Sequence, residues 1–272
     1  MLSFCLIHNF ESDRMENVFN LKNRLNSKGF TVTLVHRQEL DKLTPKEFFQ
    51  KEWNQMMSEF FWRKYIDPLN NEKKLTNKLS YIKHQIGNVF SKKLKSKIRT
   101  SQIESAVTQK HLIALQQAFF SKGVSYAVIL ESDFLIDDVD FFLNKLINFL
   151  EYLNKPYVFV NLGSGFTLEK LKCQKLLGRK INEIFFTQLR PFTNTAVAYL
   201  VNRAFSKDFL NFTQERWDPK LYPPIDWSLN IYFMEKNFEP SDISAFYTEP
   251  PIVQHGSFIN DSSWRLKSQI VN

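Results

Sequence analysis

Two hydrophobic patterns alternate along the chain. Unbroken apolar runs predict buried strands, and apolar residues at three- and four-residue steps predict helices. Leu2 to His8 reads as a first strand, and Met15 to Leu25 as a helix with Val18, Leu21 and Leu25 on one side. Gly29 is a helix stop, and Phe30 to Val35 alternates as a second strand. Together they have the form of a βαβ unit.

The rhythm breaks between Asp41 and Arg99. Thr44, Pro45 and Glu47 make a helix start. The aromatic run that follows, with Trp53, Phe60, Phe61 and Trp62, suits either core or an acceptor groove. Gln102 to Phe120 predicts a helix whose apolar side carries Ile103, Val107, His111, Leu115 and Ala118. Tyr126 to Leu130 is a buried strand. Asp137 or Asp138 caps the next helix, which presents Leu143, Leu146, Ile147, Leu150 and Leu153. Tyr157 to Leu162 predicts a strand, Gly163-Ser164-Gly165 a tight turn, and Thr167 to Leu177 a short helix. Glu183 to Thr187 and Thr195 to Val201 read as strands, and Arg203 to Phe212 as a helix. Pro223-Pro224 opens a helix containing Asp226, and Ser244 to Tyr247 is the final strand. The alternation predicts a single α/β domain over 1–272 with a helical, basic insertion at about 41–100.

Charge sharpens the view of that insertion. The net charge is +8, and Glu72 to Arg99 carries all of it, so the rest of the chain is neutral. Leu75, Leu79, Ile82, Ile86 and Val89 form one helical stripe there, with lysines largely outside it. Such a helix suits an anionic membrane surface, or packs its stripe on the domain and solvates its lysines. Only Tyr81 and Phe90 interleave the charges, which is poor for base stacking, so no nucleic-acid partner is expected. Seven glycines and no Gly-rich phosphate loop argue against dinucleotide and Walker-type sites. Cys5 and Cys173 match no zinc or redox spacing and point to a reducing compartment. With no signal peptide and no spanning run, a cytoplasmic protein is expected, peripheral on the inner membrane face if the basic segment docks there.

The first candidate chemistry lies just after Tyr126–Leu130. Glu131 and Asp133 stand one residue apart at the end of a buried strand. Strand periodicity of two turns both side chains one way. Ligands of open α/β sheets bind beyond the carboxyl ends of strands. Two hard oxygen ligands there suit Mg²⁺ or Mn²⁺ carrying a diphosphate. The plainer reading is that the acids cap a strand where it meets water.

Several segments, taken in order, resemble glycosyltransferase family 25, which includes bacterial lipooligosaccharide galactosyl- and glucosyltransferases and the collagen galactosyltransferases. They are Asp13-Arg14-Met15, Lys110-His111-Leu112 with Ala118, Ala127 to Asp133, Ala198 to Arg203, Pro224-Ile225-Asp226-Trp227 and Pro250 to Gln254. The family usually has Glu-Asp-Asp where this chain has Glu131-Ser132-Asp133, and Glu104 to Val107 replaces a Gly-rich entry. The resemblance implies a GT-A-type, Rossmann-like, mostly parallel sheet flanked by helices. It also implies a UDP-sugar donor, Mn²⁺ or Mg²⁺, and inverting transfer of a hexose, galactose foremost. The implied acceptor is a glycan or glycolipid of lipooligosaccharide or surface-polysaccharide synthesis.

On that basis Asp133 and Glu131 are metal ligands, with His255, near the C-terminus, as a third. Glu131 also serves as a donor contact. Asp226 is the general base; its alternative is a first-turn acid stabilised by the helix dipole. His111 is either a satisfied core histidine or a substrate contact. Asn161, Ser164, Arg190 and Asn194 are further substrate-binding candidates. Three other functions compete. A nucleotidyltransferase would normally show a Gly-rich loop after the first strand, and Asn9 to Arg14 has no glycine. A catalytically inactive sugar- or membrane-binding protein is the second, and a nucleic-acid binder the third.

Overall fold

The computed structural model describes residues 1–8, 12–36, 94–164, 168, 176–193, 195–217 and 222–256. Most of the expected insertion, including the stripe from Leu75 to Val89, lies outside them, as do Asn194 and nearly all of the expected helix from Thr167 to Leu177.

The chain opens with β1 (Leu2–Ile7), α1 (Ser12–Ser27) and β2 (Thr31–Val35). α2 (Leu94–Gln117) leads to β3 (Tyr126–Leu130), the two-residue β4 (Phe134–Leu135) and α3 (Val139–Phe149). β5 (Tyr157–Asn161), β6 (Gly163–Ser164), β7 (Leu177–Lys180), β8 (Phe185–Gln188) and β9 (Ala198–Asn202) follow. α4 (Arg203–Arg216), α5 (Ile225–Lys236), β10 (Ile243–Thr248) and β11 (Val253–His255) follow, and a 3-10 turn over Leu150–Tyr152 extends α3. α2 starts eight residues earlier than the apolar pattern predicts.

Eight strands form one sheet in the order β2-β1-β3-β9-β5-β10-β8-β7. β1, β2 and β3 are mutually parallel, as are β5 and β10. β9 runs antiparallel between β3 and β5, and β8 antiparallel to β10 and β7. The sheet is thus mixed, and compatible with a Rossmann-like fold. β9 begins beside the carboxyl ends of its neighbours, with Ala198 opposite Leu130 and Tyr199 opposite Asn161, so it must descend between them.

Strand alternation divides the core in two. Phe4, Leu6, Val128 and Leu130 join Val18, Leu21 and Leu25 of α1 and Leu143 and Leu146 of α3 on one face. Cys5, Ile7, Ala127, Ile129 and Tyr199 join Leu112 and Leu115 of α2, Phe205 and Phe209 of α4 and Leu229 of α5 on the other. Helices therefore cover both faces, which explains why β1 is buried along its whole length.

The local signals act as their chemistry requires. Gly29 adopts φ +82° where the Phe30 N–H bonds to the Leu25 carbonyl at 3.1 Å, ending α1. Asp138, rather than Asp137, caps α3, its carboxylate accepting from the N–H groups of Asp140 and Phe141. α5 has no side-chain cap; Pro224 stands at its N-cap and Asp226 in its first turn. No helix among the described residues is long and apolar enough to cross a membrane.

Candidate metal centre

The site starts where β3 stops. The strand ends at Leu130, and the Phe134 N–H bonds back to the Glu131 carbonyl at 3.2 Å, making a tight turn of 131–134. This corrects the expected cause of the carboxylates' convergence: they meet through a turn and not by strand periodicity. Glu131 keeps the parity of Ile129 and reaches the α2 layer, while Asp133 is met by α1.

A small second sheet, β4-β11-β6, supplies the third candidate ligand. His255 pairs with Phe134 and Val253 with Gly163, and the Gly256 N–H donates to the Asp133 carbonyl at 2.7 Å. His255 thus lies on a short strand and not in the loop expected from its sequence context. Gly163 makes the close approach possible, since a Cβ there would collide with the Val197 side chain. Ligand atoms of Glu131, Asp133 and His255 all lie within 4.8 Å of one another. His255 Nδ1 is 3.2 Å from Asp133 Oδ2. Neighbouring ligands of an octahedral ion bound at about 2.1 Å are about 3 Å apart, so this spacing fits. Two carboxylates and one imidazole suit Mn²⁺ better than an all-oxygen preference such as that of Ca²⁺.

Each acid is held from a different layer. The Arg14 guanidinium lies 3.9 Å from Asp133 Oδ2, and Asn17, one turn on, donates to the Phe134 carbonyl at 2.8 Å. His111 Nε2 lies 2.9 Å from Glu131 Oε1, and its Nδ1 is 3.0 Å from the Tyr199 hydroxyl. Burial pushes the Glu131 carboxyl upward. The hydrogen bond and charge of His111, with the charges of His255 and Arg14, outweigh it and hold the carboxyl below the usual range. His111 is fully buried and meets the site through Glu131.

Asp226 sits half-buried at the start of α5. The Pro223 carbonyl just before it accepts from Thr108 of α2 at 2.7 Å and from Ser228 at 3.3 Å, fixing the helix entry. Burial pushes the Asp226 carboxyl up to about 7; the Trp227 N–H opposes this, and the carboxylates of Glu104 and Glu131 add to it. Asp226 is therefore close enough to Glu131 for their charges to interact.

Basic groups surround the same edge. Lys110, buried, donates to the His8 carbonyl at 3.4 Å at the end of β1. The His8 and His36 rings lie 5.2 Å apart across β1 and β2. Burial, then the charges of His36 and Lys110, lowers the His8 pKa.

The other described candidates sit on β5, β6 and the segment after β8. Asn161, buried at the end of β5, donates to the Thr193 hydroxyl at 2.8 Å, while its Oδ1 has no hydrogen-bond partner among the described residues. The Thr193 backbone is clamped by Asn230, one helical turn beyond Asp226. Ser164 belongs to β6, and Arg190 is exposed after β8. Arg14, Lys110, His8 and Tyr199 were not singled out from sequence as site residues. For Arg14 and Lys110 the available signal was their place in two segments of the family resemblance. Compared with known proteins, the chain matches no family model and no curated protein.

Proposed function

We propose that this chain is an inverting, metal-dependent glycosyltransferase. It moves a hexose from a UDP-sugar to a glycan or glycolipid acceptor. The observation that carries this reading is the Glu131–Asp133–His255 triad at the carboxyl ends of the parallel strands. Two hard oxygens and one nitrogen in that position suit a divalent ion that carries a diphosphate. Bound there, the ion supplies Lewis-acid neutralisation of the leaving diphosphate.

The chain's own residues do the rest. Arg14 adds buried positive charge beside Asp133, and Lys110 adds another at the end of β1, which favours a polyanionic ligand over a neutral one. Asp226, with its carboxyl near 7, accepts the proton of the acceptor hydroxyl. The hydroxyl oxygen bonds to the anomeric carbon as the bond to the diphosphate oxygen breaks, and the electron pair leaves with the UDP. A single displacement inverts the anomeric centre and forms no covalent sugar–enzyme species.

Calorimetry with UDP-galactose, UDP-glucose, UDP-GlcNAc and UDP-GalNAc, each with Mn²⁺ and with EDTA, tests the reading. Metal-dependent binding of at least one donor, followed by UDP release on adding acceptor glycans, is expected. Donor binding indifferent to metal, or none at all, overturns it.

A further inference from the structure

We infer that the Tyr199–His111 pair is a metal-selectivity device, holding Glu131 so that it offers a divalent ion one oxygen and not two. The inference rests on the metal reading of the triad.

The geometry is closed on one side. His111 lies on α2 and Tyr199 on β9, and their side chains meet in the core between helix and sheet. The two rings stack at 5.7 Å between centroids. Both residues are buried, with Tyr199 1% exposed and His111 0%. Neither can turn toward solvent without opening the core.

A carboxylate can only accept, so His111 Nε2 carries the proton that points at Glu131 Oε1, 2.9 Å away. The Tyr199 hydroxyl, 3.0 Å from the other ring nitrogen, holds the ring in that orientation.

The consequence is for coordination. A bidentate grip needs both carboxylate oxygens turned to the ion together. Oε1 is drawn to the α2 side by a buried donor whose own position is fixed, leaving Oε2 as the ligand oxygen. Ca²⁺ commonly takes bidentate carboxylates and six to eight oxygens, whereas smaller ions keep octahedral sets with monodentate carboxylates. Outer residues that orient a ligand typically change metal affinity 10–100-fold when removed.

The experiment measures Mn²⁺ and Ca²⁺ dissociation constants by calorimetry on the full chain, with no donor or acceptor present. Thermal melts check folding. Wild-type protein is expected to prefer Mn²⁺ by more than about tenfold. His111→Phe removes both ring nitrogens at similar volume and should lower that preference about tenfold, mainly by tighter Ca²⁺ binding. His111→Gln, whose amide can still donate to Glu131, should largely restore it. Tyr199→Phe removes only the hydroxyl and should shift the preference in the same direction as His111→Phe; it decides the matter if His111→Phe does not fold. Mn²⁺ binding with an unchanged preference in a folded variant overturns the inference and leaves the metal reading intact. Wild-type protein that binds neither ion overturns both.

Discussion

His255 Nδ1 and Asp133 Oδ2 stand 3.2 Å apart because two very short strands, β4 and β11, pair next to a turn. Neither residue brings the other close through its own segment. The three-stranded mini-sheet holds them together.

Removing one ligand should remove the ion. Asp133→Ala and His255→Ala should each weaken Mn²⁺ binding by about 10–100-fold or more and abolish metal-dependent transfer. Mn²⁺ should raise the melting temperature of wild-type protein by mass action and leave that of Asp133→Ala unchanged. Equal Mn²⁺-induced shifts in the two proteins would exclude Asp133 as a ligand.

Asp226 should leave its signature on the pH profile. A general base works only when deprotonated, so kcat should rise with pH and level off above about 7. Asp226→Asn should lower kcat by about 10²–10⁴-fold with donor affinity nearly unchanged. A flat profile between pH 5 and about 8 would leave Asp226 as a helix-start acid only.

The same carboxyl makes a stability prediction with the opposite sense. Its folded pKa, about 7, lies above the unfolded value of about 3.9. Between those values the folded state holds a proton that the unfolded state has lost, so its contribution to stability falls as pH rises. Asp226→Asn should therefore gain stability relative to wild type from about pH 4 to about 7, by an amount on the order of 1–4 kcal/mol. Urea melts at pH 4.5 and 8 measure it; a variant equally destabilised at both would sink the idea.

Gly163 should prove sensitive although it bears no functional group. Gly163→Val forces a side chain against Val197 and the Val253 carbonyl. Overpacking of this kind costs about 1–3 kcal/mol. It should also displace β11, so Mn²⁺ affinity should fall together with the melting temperature. A destabilised variant with wild-type Mn²⁺ affinity would show that β11 holds its place without β6.

The sequence patterns disclose the parts of this architecture that are periodic. Tyr126–Leu130 and the Phe4 to Ile7 part of β1 are apolar on both faces because helices cover both, and that is visible as unbroken runs. Asp133 and Glu131 were legible as a pair because carboxylates at a strand's end are conspicuous. The direction of β9 was not: four apolar residues, Ala198 to Val201, look the same whether they ascend or descend. β4, β6 and β11 are two or three residues long, too short for any period to register. Tyr199 read as one more buried residue of a strand. Its importance comes from the hydroxyl it turns toward α2, which no pattern in its own segment reveals.

β11 also sets a schedule. It is the last of the described strands, yet it carries one of the three ligands that β3 needs beside it. On the ribosome, β1, β3 and their covering helices emerge long before residues 253–255. Until those residues leave the exit tunnel, the acids of β3 have no imidazole beside them. Metal capture at this triad therefore waits until residues 253–255 have emerged, and a nascent chain stopped before Val253 is expected to have an incomplete binding centre.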